Sequence, residues 1–115
     1  MLRTKIRKYL KHGTLRQLSV FEAVARLGSF TRAAQELHMA QPTVSVQIKK
    51  LSESVGLPLF AQDGRRIQLT SAGCELEEAC REIFDSLSRL EDRVGDIRSQ
   101  RTHRASVLEA AAGVC

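Results

Sequence analysis

A chain of 115 residues has room for one compact domain and an appended element, and 4% aromatic content without tryptophan argues against a binding surface of stacked rings. A formal charge of +5 favours a polyanionic partner. No run approaches the roughly 18 apolar residues of a membrane span, and the basic start lacks the apolar core and cleavage site of a secretory signal, so a cytoplasmic chain without membrane partners is expected.

Residues 1–13, MLRTKIRKYLKHG, hold Arg3, Lys5, Arg7, Lys8 and Lys11 and no acid, a charge equal to that of the whole chain. This basic N-terminal arm reads either as a solubilising tail or as a nonspecific phosphate binder. Residues 14–70 remain net basic, whereas residues 71–115 are net acidic.

After the arm, LRQLSVFEAVARLG puts Leu15, Leu18, Phe21 and Ala25 on one helical face, with Val24 on its flank and Gly28 as a C-cap. SFTRAAQELHM follows as a short helix with Ser29 or Thr31 as N-cap and Phe30, Ala33, Ala34 and Leu37 buried. About three residues, Met39 to Gln41, then lead to a third helix running from Pro42 to about Val55 and stopped by Gly56. Two helices joined so tightly must cross steeply, which is helix-turn-helix geometry.

PLFAQ and RIQLT are extended candidates separated by DGR, a hairpin signal in which Asp63 and Gly64 take the turn and Arg65 and Arg66 stand at its tip. From Thr70 the chain becomes helical again. Leu76, Cys80, Ile83, Leu87, Leu90, Val94 and Ile97 alternate steps of four and three, an unbroken heptad seam whose economical partner is a second copy. Past Gln100 only a weak alanine-rich tendency remains. The resulting domains are the arm over 1–13, a helix-turn-helix domain with its hairpin over 14–70, a linker and dimerisation helix over 71–100 and a C-terminal tail over 101–115.

The third helix, in MAQPTVSVQIKKL, has two faces. Val44, Ile48, Leu51 and Val55 line the inner one, while Pro42, Val46 and Lys49 line the outer one, flanked by Thr43, Ser45 and Lys50. A glutamine amide at Gln41 can pair with adenine, hydroxyls can meet bases or phosphates, and Pro42 and Val46 can touch a thymine methyl. The helix dipole and first-turn N–H groups favour phosphate. Arg32, Lys49 and Lys50 would grip the backbone, and Arg65 and Arg66 an adjacent groove or its phosphates.

SFTRAAQELHMAQPTVSVQIKKL, then GLPLF, then LTSAG, resemble the N-terminal domain of LysR-type bacterial transcriptional regulators over roughly Leu15 to Gln100. TLRQLSVFEAVAR and LPLFAQDGRRIQLT look most like the branch regulating carbon-fixation (RuBisCO) operons. The resemblance implies a mainly α fold: a winged helix-turn-helix of three helices plus a short β-hairpin, followed by a long dimerising linker helix. The family's effector-binding domain would follow, and this chain is expected to lack it. Gln41, Pro42, Thr43 and Val46 would face base edges, and Ser29, Thr31, Arg32, Ser45 and Lys49 phosphates.

Three departures touch the recognition helix: the family usually has Ser or Thr at Ala40, often Arg at Val46, and usually Leu-Glu at Leu51-Ser52. A lost hydroxyl cap costs about 1 kcal/mol, which Gln41 or Pro42 could partly recover. Val46 gives up a guanine contact in favour of thymine methyl or DNA shape.

The expected function is sequence-specific transcriptional regulation by a homodimer on an interrupted DNA dyad, with tetramers and RNA polymerase as partners in a full-length context. The rival readings are a coiled-coil interaction module and a truncated, dominant-negative regulator. No catalytic constellation is evident: Ser45 lacks a base and the glycines form no phosphate-cradling loop, so no enzyme is expected. Cys74, Cys80 and Cys115 show neither CxxC spacing nor a histidine pair, and His38 has no second ligand, so free thiols and no metal or cofactor are expected.

Overall fold

A computed structural model describes residues 5–103; Met1–Thr4 of the arm and 104–115 of the tail, Cys115 included, lie outside the described residues. After a 3-10 turn at Arg7–Tyr9 come α1 (Thr14–Leu27), α2 (Phe30–Leu37) and α3 (Gln41–Val55). A hairpin of β1 (Phe60–Asp63) and β2 (Arg66–Leu69) precedes α4 (Ser71–His103). This is the mainly helical, winged helix-turn-helix architecture that the sequence implies, with the long helix extending to His103.

Gly28 and Gly56 end α1 and α3 in the left-handed conformation, each donating its N–H to the carbonyl four residues back. The sequence pattern names the right helix here but only part of its buried face. Leu18, Val20, Phe21, Ala23 and Val24 are buried, whereas Leu15 is 55% exposed and Ala25 only half-buried. The reason is that α1 packs against both α2 and α3. Its buried residues therefore span an arc of about 220° at 100° per residue, far wider than the single stripe assumed from spacing.

Ala33 and Ala34 of α2 are buried, with Phe30 and Leu37 half-buried beside them. Val44, Ile48 and Leu51 of α3 complete the centre together with Leu59. Phe60, at the start of β1, ties the hairpin to this centre, its ring 5.3 Å from that of Phe21 and 5.8 Å edge-on from that of Phe30.

The hairpin is antiparallel with Asp63 opposite Arg66, so its two-residue turn is Gly64-Arg65 rather than Asp63-Gly64. Gly64 alone takes positive φ there, at +64°. Asp63 instead closes the first strand, and the turn stands one residue later than the Asp-Gly signal suggests.

The hairpin's other end is locked to the start of α4. Thr70 donates its N–H to the Leu59 carbonyl at 3.0 Å and its hydroxyl to the Pro58 carbonyl at 2.6 Å, while accepting from the Gly73 N–H at 3.0 Å. A Cβ at Gly73 would collide with the Leu59 carbonyl, so this helical glycine permits a backbone approach that no other residue would allow.

Contacts divide the chain after Cys80 into two units. In the first, Cys80 is fully buried and Leu76 half-buried, so the front of the heptad seam serves this chain's own core. Cys80 thus leaves the set of residues available to a second copy. In the second unit Ile83, Leu87, Leu90 and Ile97 are exposed, Val94 is half-buried, and Arg98 pairs with Glu91.

Candidate nucleic-acid interface

The turn between α2 and α3 is His38, Met39 and Ala40. His38 takes φ +55° and caps α2, its N–H reaching the Gln35 carbonyl at 3.3 Å, while the Met39 N–H reaches Ala34 at 2.9 Å. His38 is thus the left-handed C-cap of α2, a structural role.

Ala40 caps α3 with its backbone alone: its carbonyl accepts from Thr43 and Val44 at 3.0 and 3.2 Å, with no side-chain bond. Gln41 does not replace the missing hydroxyl. Its Nε2 instead donates to Ser45 Oγ, one turn along, at 3.2 Å. Pro42 in the first turn has no N–H to leave unsatisfied and so suits a helix start without a side-chain cap.

Gln41, Pro42, Thr43, Val46, Lys49 and Lys50 are all exposed, and Ser45 is half-buried. Val44 and Val46 mark the two faces of this helix, since Val44 has no exposed surface and Val46 is 48% exposed. An apolar side chain held on an outer face among amide, hydroxyl and ammonium groups offers mixed recognition chemistry.

At the start of α2, Ser29 Oγ accepts from the Arg32 N–H at 3.1 Å, so Ser29 rather than Thr31 is the N-cap. Its hydroxyl hydrogen stays available as a donor. Thr31 and Arg32 are exposed, as are Arg65 and Arg66 on the hairpin.

Arg32, Lys49, Lys50, Arg65 and Arg66 form no ion pair with any described residue. Arg26 behaves differently. It bonds Glu22 within α1 and Glu36 on α2, joining the helices. These bonds raise the Arg26 pKa, and the hydrogen bond from Arg26 holds Glu36 below the usual carboxylate range. Sequence reading missed this network, although the four-residue spacing of Glu22 and Arg26 signals half of it. It also missed Thr70 and Gly73, whose roles depend on contacts with the chain at Pro58 and Leu59.

Among the described residues no three His, Cys, Asp or Glu side chains converge as a metal site. Cys74 is exposed and Cys80 buried. Burial, reinforced by the charges of Glu22 and Glu77, pushes the Cys80 thiol up to about 11, so its nucleophilic thiolate is scarce at neutral pH. No described helix is long and apolar enough to cross a membrane.

Residues 15–74 match the family described as bacterial regulatory helix-turn-helix protein, lysR family. The chain is 46% identical over 89 residues to the HTH-type transcriptional activator CmpR of Synechocystis sp., covering 77% of this chain and 29% of that protein. It is 53% identical over 78 residues to a RuBisCO operon transcriptional regulator of Acidithiobacillus ferrooxidans, covering 68% of this chain and 25% of the relative. The chain therefore spans less than a third of either relative.

A solved structure described as the BenM DNA-binding domain with catB site 1 DNA superposes with a TM-score of 0.70 at 32% identity, covering 74% of this chain and 96% of that one. From the matched helix-turn-helix, the relatives and the shared three-dimensional arrangement, the chain belongs to the lysR family of bacterial regulatory helix-turn-helix proteins.

Proposed function

We propose that this chain binds double-stranded DNA and acts as the sequence-reading part of a cytoplasmic bacterial transcriptional regulator, as a homodimer on an interrupted dyad. The observation that carries this reading is the outer face of α3, where Gln41, Pro42, Thr43 and Val46 are exposed beside Lys49 and Lys50. The DNA complex of its BenM neighbour supports the same use of the fold.

In this reading α3 enters the major groove N-terminus first. The Gln41 carbonyl oxygen accepts from adenine N6, and the Nε2 hydrogen not committed to Ser45 donates to N7. The Thr43 hydroxyl adds a polar base contact, and Pro42 and Val46 meet thymine methyl groups. Ser29, Thr31, Arg32, Ser45, Lys49 and Lys50 hold phosphates, with Arg65 in the hairpin turn and Arg66 at the start of β2 extending the grip.

Ile83, Leu87, Leu90, Val94 and Ile97 form the seam with a second copy. Two recognition helices then meet half-sites about 34–36 Å apart, or a multiple of that spacing. Tetramers and contact with RNA polymerase belong to the same proposal for a longer chain.

Selection of bound fragments from random duplex DNA tests the reading, with carbon-fixation operators as the first natural targets to compare, given the RuBisCO-operon relative. An enriched dyad is expected; no preference over random DNA would overturn specific recognition. Gln41→Ala and Thr43→Ala should each remove about 1–3 kcal/mol of discrimination, whereas Lys49→Ala should weaken all sequences alike. A monomer that gains helix only with a different protein would favour the interaction-module reading instead.

A further inference from the structure

Residues 5–13, the described part of the arm preceding α1, contain a defined turn. The Leu10 N–H bonds the Arg7 carbonyl at 3.0 Å, and the Thr14 N–H bonds the Lys11 carbonyl at 3.3 Å. Gly13, at φ +89°, then redirects the chain into α1, where the Gln17 N–H bonds the Gly13 carbonyl at 3.0 Å. That reversal brings Lys11 and His12 to the later turns of α3. Lys11, His12, Gln17, Lys50, Glu53 and Ser54 line one cleft of about 240 Å³.

This space exceeds the roughly 30 Å³ share of a single water molecule several-fold, enough for a small polyatomic group with its hydration. Its donors are two ammonium groups, an imidazole, an amide and a hydroxyl. Lys11 and Lys50 form no ion pair with any described residue. Glu53 supplies the opposing charge on the cleft wall.

The cleft's orientation follows from the helix period. At 100° per residue, Lys50 lies about 40° and Glu53 about 20° from the direction of Val46, and Lys50 stands about 6 Å further along the axis. The cleft therefore continues the outer face of α3 beyond its base-reading turns. The family match begins at residue 15, so Lys11 and His12 come from outside the matched helix-turn-helix.

We propose that Lys11 and His12, with Gln17 and Lys50, form a sequence-blind clamp for a DNA backbone phosphate beside the bases read by α3. The inference rests on the DNA reading of α3 and adds a contact made by the arm. The exposed cations Lys5, Arg7 and Lys8 strengthen the surrounding positive field without being required in the cleft.

Fluorescence anisotropy of wild type, Lys11→Ala, Lys50→Ala, the double variant and Glu53→Gln, on the selected dyad and on random duplex DNA across a salt series, tests the clamp. Lys11→Ala should lower affinity by the same factor on both DNAs, about eightfold at 0.1 M salt if the salt slope falls by 0.9 for one lost phosphate contact. The double variant should lose less than the product of the single losses, because both ammonium groups serve one phosphate. Glu53→Gln should tighten binding to both DNAs, and thermal melting should confirm that each variant folds.

Unchanged affinity and salt slope in Lys11→Ala, with wild type still preferring the dyad, would overturn the clamp while leaving the α3 reading intact. Loss confined to the dyad would also overturn it, because Lys11 would then read sequence. Failure of wild type to prefer the dyad would instead strike the reading on which the clamp rests.

Discussion

Leu51 and Leu90 are identical side chains in helices, yet Leu51 has no exposed surface and Leu90 is 53% exposed. The first belongs to a unit in which α1, α2, α3 and the hairpin share an apolar centre; the second belongs to a helical segment whose apolar row is uncovered. The difference teaches that regular apolar spacing identifies a surface suited to burial without naming what buries it. Along α4 the same spacing leads to burial in this chain at Cys80 and to an uncovered position at Leu90.

The contrast can be broken most directly at Phe21, which is fully buried and stacks near Phe60. Phe21→Ala should cost about 3–5 kcal/mol in chemical denaturation, through lost contacts and a cavity. A loss as small as that of an exposed side chain would remove Phe21 from the energetic centre.

At the other region, Leu90→Glu should halve the mass seen in sedimentation while leaving the melting of the first unit near wild type. Putting a charge into an apolar helix seam leaves it unsolvated and unpaired. An unchanged mass would refute the seam.

Smaller changes separate the two regions further. Ala40→Ser supplies the missing α3 cap and should add about 1 kcal/mol of stability to the first unit, with no change in mass. Calorimetry without a gain would mean that Pro42 and the backbone already satisfy the helix start.

The smallest expected effect is the acid response of the Arg26–Glu36 link. Glu36 has a lowered folded-state pKa, so its contribution is present above the unfolded pKa and fades as pH falls through the folded value. Both partners are exposed, so solvent weakens the link. Acid titration should find a slight loss of stability below the ordinary glutamate range, absent in Glu36→Gln; identical acid profiles would remove this link from the response.

The helix order and inner face of α3 were legible because short-range signals agree: Ser29 begins α2, Gly28 and Gly56 end helices, and Val44, Ile48 and Leu51 share one side. The buried arc of α1 was only partly legible, because two packing partners draw in Val20 and Ala23 while Leu15 faces solvent. The outer residues of α3 were identifiable by periodicity, but the choice of Gln41 to bond Ser45 instead of capping the helix was not. Thr70 and Gly73 stayed hidden for another reason: their roles come from a backbone approach across the hairpin, and local spacing carries no sign of it.

Under the proposed DNA reading, the Gln41–Ser45 bond changes how recognition is selective. An unrestrained amide samples several rotamers and must surrender that freedom on meeting a base edge. Tethered to the next turn, Gln41 has part of that ordering in place before contact, and a base requiring the amide turned over must first break the tether. In that reading selectivity resides in a motion made difficult as well as in an attraction gained, and Ser45 would take part even where its own oxygen touches no base.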